Sequence, residues 1–456
     1  MKRAAIIGAG AAGCFCAAQL RRMAPELSVT VFEAGPRPMA KLAITGGGRC
    51  NLTNDFQGIR SLSEAYPRGE RVMKRALKVF SQEDTIAWFT AEGVPCVLQA
   101  DHCWFPQSQD AMDIVRCLLR GMKGVNLRLK TPVTSLTASA GPTASENYFS
   151  GRYPKSQFPE AIANPTHADA VAEGMELCSA SAKNIADATS EHSSIPSDET
   201  LFVNGEAFDF VVVTTGGAAK GLPFLEGLGL EVVPPVPSLF TFTVPDPGLR
   251  SLMGLVVEAS IGLQGTAFKA EGPLLITDWG FSGPATLKLS SHAARHLAES
   301  GYKGTLSINW LNASEGQVRS LLQESALENP QKQVSSTHLL QARLWSHLLD
   351  KAGLRKDIRW AELGSKGLNR LTATLTASSY PLSGKSRFRE EFVTAGGVAL
   401  SNIDLNTLEC KHHPGLFFAG EVLDIDAITG GFNLQAAWST GYVCTRAIAA
   451  TLSARA

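Results

Sequence analysis

The chain has 456 residues, and its 42 Lys or Arg balance its 42 Asp or Glu, so the formal net charge at neutral pH is zero. A chain of this length is expected to form two or three domains, one of which can be inserted into another. Zero net charge disfavours nucleic acid and anionic membranes as partners and favours a small-molecule substrate.

The cysteines and the start of the chain bear on its compartment. The 9 cysteines are scattered without the CxxC spacing of zinc or redox sites, which is typical of free thiols in a cytoplasmic protein. The basic, then apolar, start resembles a signal peptide, but glycines interrupt it, and a buried strand followed by a tight turn has the same composition. No segment reaches the roughly 18 uninterrupted apolar residues of a membrane helix. We therefore expect no membrane association.

The first forty residues predict one compact unit. An apolar strand from Arg3 to Ile7 is followed by a glycine turn, a helix to about Met23, and a second strand from Ser28 to Phe32 that ends on Glu33. A lone GxGxxG is weak, but here strand, turn, helix, second strand and acid all occur within the expected length. This context indicates a dinucleotide-binding fold.

Each residue of the turn has a physical role in such a fold. Gly8 permits the tight turn, Gly10 lets the backbone approach a pyrophosphate, and Gly13 lets the helix pack on the strand. The helix N-terminus then offers N–H groups to the phosphates. Glu33 lies where a ribose hydroxyl would be bound, which favours FAD or NAD over the 2′-phosphate of NADP.

Four later segments place glycines beside polar residues. They are Lys41-Leu-Ala-Ile-Thr-Gly46-Gly47-Gly48-Arg49-Cys50-Asn51, Gly280-Phe-Ser282-Gly283-Pro284, Phe417-Phe-Ala-Gly420-Glu421, and Thr429-Gly430-Gly431-Phe432-Asn433-Leu434. Together they resemble the BaiN/YhiN-like family of FAD-dependent oxidoreductases, and the resemblance covers most of the chain. It implies that the strand ending at Glu421 holds the ribityl chain and phosphate. It also implies that the helix after Gly431 faces the pyrimidine edge of the flavin, where a helix N-terminus stabilises the reduced form.

The motif and the resemblance together give a set of expected FAD-binding residues. They are Gly8, Gly10, Ala12, Gly13, Glu33, Ala34, Lys41, Gly47, Gly48, Arg49, Cys50, Asn51, Val133, Thr215, Gly216, Gly217, Gly420, Glu421, Gly430, Gly431, Phe432, Asn433 and Leu434. Three of them have a second interpretation: Lys41 and Arg49 as solvated surface residues, and Cys50 as a small buried packing residue, which we favour over a reactive thiol. Catalytic residues are not assigned, and no metal site is expected.

The expected fold class is α/β, with a Rossmann-like FAD-binding domain built from both chain ends and an inserted domain that is β-barrel-like and then helical. The first part of the FAD-binding domain spans 1–236, the inserted substrate-side domain 237–385, and the second part 386–456. Residues 137–200 are rich in Ala, Ser and Thr without an apolar period, which indicates a flexible insertion.

Within the inserted region, three strands and three helices are predicted. The strands are 239–244, 255–258 and 274–276, and the helices are 315–328, 339–352 and 360–368. On the substrate side, the polar or aromatic residues of interest are Trp279, His292, Tyr380 and Arg389, each more readily explained as structural than as catalytic. The pair His412-His413 is more typical of a solvated loop than of a metal site.

These observations predict an FAD-dependent oxidoreductase in which hydride passes through flavin N5. The resemblance implies an NAD(P)H-linked reductase of an unsaturated small molecule. No second GxGxxG unit occurs, so NADH or NADPH would visit the flavin only transiently. One alternative is an NAD-binding dehydrogenase without flavin, which the C-terminal segments disfavour. Another is a flavoprotein with an RNA-modification or partner-binding role, which zero net charge disfavours.

Overall fold

The computed structural model describes residues 1–139, 199–217, 222–385 and 393–454. Within this part of the chain, the residues before 140 and from 200 onward form one compact unit. Most of the predicted insertion at 137–200 lies outside the described residues, and so does Arg389.

The described residues contain twenty strands. In chain order they are β1 (Arg3–Ile7), β2 (Ser28–Phe32), β3 (Thr53–Asn54), β4 (Cys96–Leu98), β5 (Cys103–Pro106), β6 (Asn126–Arg128), β7 (Leu136–Ser139), β8 (Thr200–Val203), β9 (Glu206–Phe208), β10 (Phe210–Val213), β11 (Val232–Ser238), β12 (Phe242–Thr243), β13 (Val256–Leu263), β14 (Lys269–Ile276), β15 (Gly280–Ser282), β16 (Gly304–Asn309), β17 (Ser378–Leu382), β18 (Gly384–Lys385), β19 (Val393–Val398) and β20 (Leu416–Phe418).

The same residues contain thirteen α-helices. They are α1 (Ala11–Met23), α2 (Thr45–Gly48), α3 (Leu62–Ala65), α4 (Glu70–Val79), α5 (Gln82–Ala91), α6 (Ala111–Gly121), α7 (Pro247–Arg250), α8 (Pro284–His292), α9 (Ala294–Glu299), α10 (Glu315–Glu328), α11 (Ala342–Lys351), α12 (Gly364–Ala377) and α13 (Phe432–Ala454).

Five parallel strands form the central sheet, in the order β20-β10-β1-β2-β6. Strands β1 and β10 are short apolar runs, and all four residues of β10 are buried. A parallel sheet is covered on both faces, which is why its strands lack alternation. Helix α1 packs against α13 and α6. This sheet confirms the predicted Rossmann-like fold, and it joins residues 210–213 to strands from both ends of the chain.

A second, antiparallel sheet has the order β17-β16-β13-β14-β15-β12-β18. Its two edge strands, β17 and β18, follow one another in the chain and are separated by Ser383 alone. The edges of a seven-stranded sheet can be so close only if the sheet curls until they meet, so this region is barrel-like. Helices α8, α10, α11 and α12 cover it or lie beside it.

The described residues form two hydrophobic cores. One, around Phe15 and Trp438, draws its residues from 4–228 and 398–448, and the other, around Trp310 and Tyr380, from 240–382. Burial of apolar area stabilises each of them at about 25 cal/mol per Å². The change from one core to the other lies close to the expected boundaries near 237 and 386. The division into a FAD-binding and a substrate-side domain remains a proposal.

Candidate functional site

The glycine turn after β1 contains two glycines that are closed in by backbone and one that is open. A Cβ atom at Gly13 would lie 2.0 Å from the Gly8 oxygen, and one at Gly8 would lie 2.7 Å from the Thr214 oxygen, so both positions are closed by backbone. A Cβ at Gly10 would meet nothing within 4 Å. The turn is therefore packed on one side and open at Gly10, where a pyrophosphate needs close backbone approach.

The acid after β2 is fixed by main-chain groups. The two carboxylate oxygens of Glu33 accept hydrogen bonds from the Ala9 N–H at 2.8 Å and the Gly35 N–H at 2.7 Å. These bonds hold the side chain beside the glycine turn, where it can accept further bonds from ribose hydroxyls.

The segment that leads to Val133 lies beside Glu33. The Thr131 N–H donates to the Glu33 oxygen at 2.8 Å, and the Lys130 N–H donates to the Gly35 oxygen at 3.0 Å. The structure thus brings the chain just before Val133 alongside Glu33 and Ala34. This edge is where we propose that the adenosine end of the cofactor binds.

The glycine loop at α2 is held in left-handed backbone. Gly47 and Gly48 have φ angles of 69° and 84°, and a Cβ at either would meet nothing within 4 Å, so the loop turns an open main-chain surface outward. Arg49 is exposed and lies over the Phe105 ring at 4.6 Å. The Cys50 thiol is fully buried in the first core, and burial raises its pKa to about 12. It is therefore protonated at neutral pH.

Lys41 and Glu421 are brought together from distant parts of the sequence. Burial raises the pKa of the half-buried Glu421 carboxyl, and the nearby Lys41 ammonium opposes that rise. Glu421 accepts a hydrogen bond from the Thr394 N–H at 2.8 Å. A Cβ at Gly217 would lie 2.5 Å from a Glu421 oxygen, and one at Gly216 would lie 3.7 Å from the other. The loop after β10, which begins with Thr215, therefore lies against Glu421.

The N-terminus of α13 meets the glycine loop. A Cβ at Gly431 would lie 2.5 Å from the Thr53 oxygen and 2.6 Å from an atom of the Asn51 side-chain amide, so only glycine fits. With its amide oriented to satisfy both neighbours, Asn51 accepts from the Gly431 N–H at 3.2 Å. Asn433 closes the preceding loop, because its amide accepts from the Ala427 N–H and donates to the Ala427 oxygen. Gly430 is fixed by a bond from Asn54 at 3.0 Å.

Four supporting residues carry no signal in the sequence. Thr214 donates to the Gly8 oxygen at 2.9 Å, Thr440 accepts from the Gly420 N–H at 2.9 Å, and the buried Tyr66 donates to the Phe432 oxygen at 2.9 Å. Gln435 accepts from the Thr53 hydroxyl at 2.6 Å. Each of them ties a predicted site segment to a part of the chain far away in sequence, which is why a linear pattern does not reveal them.

The residues present fit FAD. The Gly10 position is open, and the first turn of the described helix α1 holds no acidic side chain, so its N–H groups suit a phosphate. A Cβ at Gly420 would lie 3.1 Å from the Ala12 Cβ, which brings the ribityl-side strand to the phosphate turn. A second helix N-terminus, at Phe432, adjoins the Asn51 loop. Leu434 lies in the first turn of that helix.

Other residues of interest lie elsewhere. Tyr380 belongs to the second core, where its ring packs against Phe281 and Trp310. Trp279 accepts a hydrogen bond from the Val244 N–H through its main-chain oxygen. His413 contacts the Leu228 oxygen at 2.9 Å. His292 is half-buried beside Arg68, and burial is the main cause that lowers its pKa.

Two negative findings concern the described residues only. Within them, no group of three or more His, Cys, Asp or Glu side chains is arranged to hold a metal ion. No helix of the described chain combines the length and the apolar character needed to cross a membrane.

The parallel sheet with its open glycine turn, the anchored Glu33 and the N-terminus of α13 places the chain among the FAD-dependent oxidoreductases. The sequence profile of the HI0933-like protein Rossmann domain matches residues 2–150 and 172–447, and the chain belongs to this family. This confirms the predicted family.

Relatives cover the whole length of the chain. It is 27% identical to the ribosomal RNA dihydrouridine synthase of Escherichia coli K12, over 99% of this chain and 98% of that protein. It is 25% identical to the 3-dehydro-bile acid delta(4,6)-reductase of Clostridium scindens, over 98% and 99% of the two chains. The crystal structure of 3-ketosteroid delta1-dehydrogenase from Sterolibacterium denitrificans aligns with 99% of this chain and 100% of its own, at a TM-score of 0.45 and 12% identity.

Proposed function

We propose that the chain reduces a carbon–carbon double bond conjugated to a carbonyl, with NADH or NADPH as electron donor. The observation that carries the proposal is the convergence of distant segments on one site: Gly420 beside Ala12, Glu421 beside Lys41, and Gly431 beside Asn51. In the balanced reaction, one alkene carbon receives hydride, the other receives a proton, and NAD(P)H becomes NAD(P)⁺.

When bound, FAD supplies hydride transfer through N5. The protein supplies the surroundings. The open backbone at Gly10 and the N-terminus of α1 bind the pyrophosphate, and Glu33 binds the adenosine ribose. The N-terminus of α13 places partial positive charge at the flavin edge where reduction adds negative charge. The set of FAD-binding residues expected from the sequence is part of this proposal.

The names of the two relatives support the choice of reaction. One denotes the synthesis of a dihydro-base and the other a reductase at numbered double bonds. In uracil and in a 3-oxo-4,6-diene steroid the double bonds are conjugated with a carbonyl, which accepts electron density when hydride adds. We propose this shared reaction for the present chain, and the names alone do not lead us to either relative's substrate.

The number of dinucleotide-binding units in the sequence bears on how NADH or NADPH reaches the flavin. Its one GxGxxG unit, at Gly8 to Gly13, is the phosphate turn of the central sheet. That unit is taken by FAD in our proposal. The nicotinamide therefore has to reach the flavin from the substrate side and leave before the substrate binds.

The test follows the flavin by absorption. FAD-loaded protein is mixed without oxygen with NADH or with NADPH, and loss of the band at roughly 450 nm reports reduction. A 3-oxo-4,6-diene steroid is then added, and return of the band together with a product two hydrogens heavier is the expected result. Gly10→Val, reconstituted with the same FAD, serves as the control that lacks a cofactor site.

Each other outcome removes a defined part of the proposal. If neither nicotinamide bleaches the flavin, NAD(P)H is not the donor, and dithionite reduction then tests the substrate half alone. If chemically reduced protein reduces neither a conjugated enone nor a pyrimidine base, the proposed reaction is wrong.

A second candidate is the same reduction on a base carried by RNA. The observation that favours it is a row of four exposed cations on α4. Reduction of a free small molecule would not require this row of four cations.

A further inference from the structure

One face of α4 carries four basic residues, with the exposed Glu70 at its N-terminal end. Its residues Arg71, Lys74, Arg75 and Lys78 follow the 3-and-4 spacing that places side chains on one side of a helix, and all four are exposed. The opposite side, with Val72, Met73 and Ala76, is buried against the FAD-side core. We call these four cations the α4 basic face.

The α4 basic face lacks acidic partners. Among the described residues, no carboxylate oxygen lies within 4.0 Å of any of its four side chains. By contrast, the exposed Arg22 pairs with Glu92, and the exposed Arg116 pairs with Asp110 and Asp113. Within the part of the chain that the structure describes, the one side-chain hydrogen bond of the face is donated by the Arg75 guanidinium to the Asn406 amide oxygen at 2.7 Å.

The four cations also share a surface depression. Together with Leu405 they line a shallow hollow. Four positive charges within about 11 Å of helix axis, at 1.5 Å per residue, repel each other unless an anion lies between them. Ordinary solvated helix faces intersperse both signs of charge, as α6 does with Asp113 and Arg116.

Helix α4, which carries the basic face, packs against α13, whose N-terminus is the proposed flavin edge. Just before α4, Tyr66 donates to the Phe432 oxygen. Just after it, the Phe80 oxygen accepts from Ser439 at 2.7 Å, and the Phe80 ring stacks on Tyr442 at 4.5 Å. Helix α4 therefore runs along the first half of α13, with its apolar side against the core and its basic face exposed to solvent.

We propose that the α4 basic face binds the phosphate backbone of an RNA, one base of which reaches the flavin. This inference rests on the proposed function, of which it names the substrate carrier. Lys and Arg bind phosphates with release of counterions, and their effect depends on local charge density and not on net charge. A zero net charge therefore does not oppose binding at a face where four cations stand together.

The test measures RNA binding directly. Anisotropy of a fluorescein-labelled single-stranded RNA of about 16 nucleotides is followed with FAD-loaded protein at several salt concentrations. The variant Arg71→Gln, Lys74→Gln, Arg75→Gln, Lys78→Gln is compared with a control in which four scattered exposed lysines are changed: Lys123→Gln, Lys303→Gln, Lys332→Gln and Lys356→Gln. Both variants lose the same charge, so only its location differs.

The expected result is a difference between the two variants. Loss of the α4 basic face weakens binding by about 10-fold or more and lowers the slope of log K against log salt by about 3, because each contact to a single strand contributes about 0.7. The control changes binding little. Equal losses in both variants, or no salt-dependent binding by the unchanged protein, would overturn the proposal.

Two further measurements distinguish failure of the RNA proposal from failure of the proposed function. Reduction of the flavin by NAD(P)H is recorded for every variant. If reduction fails while RNA still binds through the α4 basic face, the proposed donor is wrong and the surface stands. If phosphatidylserine vesicles bind through these four side chains and RNA does not, the surface faces a membrane and the RNA proposal is wrong.

Discussion

The guanidinium of Arg68 pairs with the carboxylate of Asp426 through two of its nitrogens, and Asp426 is completely buried. Asp426 also accepts from the Ser238 hydroxyl at 2.9 Å, and Arg68 donates to the Ser291 oxygen at 2.8 Å. The pair thus ties the segment before the proposed flavin edge to β11 and α8. Its two partners are 358 positions apart in the sequence.

Removal of Arg68 should destabilise the protein strongly. Arg68→Met leaves the buried Asp426 carboxylate without its ion-pair partner, and loss of one partner of a buried pair costs about 3–5 kcal/mol. Arg116→Met breaks exposed ion pairs instead, which water and salt screen, and should leave the free energy of unfolding almost unchanged. Urea unfolding of both variants gives the two values, and equal costs would show that burial of Asp426 does not matter.

Gly10→Val should abolish FAD binding without loss of the fold. Gly10 has φ −82° and ψ −164°, which any residue adopts, and a Cβ there meets no protein atom within 4 Å. The added side chain instead occupies the proposed pyrophosphate position. Gly13→Val is the contrasting variant, because its Cβ would lie 2.0 Å from the Gly8 oxygen. The melting temperature without FAD should be unchanged for the first variant and lowered for the second. Full FAD occupancy in Gly10→Val would remove our cofactor assignment.

Glu33→Ala should weaken FAD binding by about 10- to 100-fold, which corresponds to about 1.5–3 kcal/mol for a hydrogen bond to a charged group. Glu33→Gln keeps an acceptor oxygen and should lose less. Glu26→Ala, at an exposed position, is the matched control. Titration of flavin fluorescence gives the dissociation constants, and identical constants for all three variants would contradict the ribose role.

The stability of the protein without FAD should depend on pH through Glu421. Burial raises the pKa of this carboxyl above its usual 4.5. The stabilising contribution of the protonated group is then complete below 4.5 and is lost as the pH rises through the folded pKa. Glu421→Gln lacks this loss, so its free energy of unfolding should rise relative to wild type as pH increases above 4.5. Lys41→Met should enlarge the difference, because the Lys41 ammonium opposes the pKa rise. Parallel pH curves for wild type and Glu421→Gln would contradict this account.

The central sheet could be predicted because its signals are local. Strands Arg3–Ile7 and Ser28–Phe32 occur where the sequence places them, since buried parallel strands bounded by glycine or an acid are continuous apolar runs. The helix Glu315–Glu328 was also predicted with its bounds, and Ser314 with Gln317 forms the capping box that begins it.

Elements with conflicting local signals were predicted less well. The strand expected at 239–244 shortens to Phe242–Thr243, because Leu239 takes a left-handed φ of 55°. The helix expected at 360–368 is a 3-10 turn at Trp360–Glu362, followed by α12 up to Ala377. Threonines in 371–376 favour a strand locally, yet Leu371 and Leu375 are buried on one face of a helix.

The candidate site shows the same division. Gly8, Gly10, Gly13 and Glu33 form a motif within one stretch of sequence, whereas the proximity of Lys41 and Glu421 depends on the whole fold. The position of the α4 basic face was not predicted either, because a net charge of zero says nothing about where four cations lie on a helix.

The pairing of β1 with β10, and of β10 with β20, sets an order of events during synthesis. The first strand leaves the ribosome early, but its neighbour at 210–213 follows about two hundred residues later, and β20 and α13 come last of all. At typical rates of about 5–20 residues per second, β1 can pair early with β2 but waits roughly 10 s or longer for β10. Because the proposed FAD site includes Gly420 and Gly431, retention of FAD would report that synthesis has passed the start of α13.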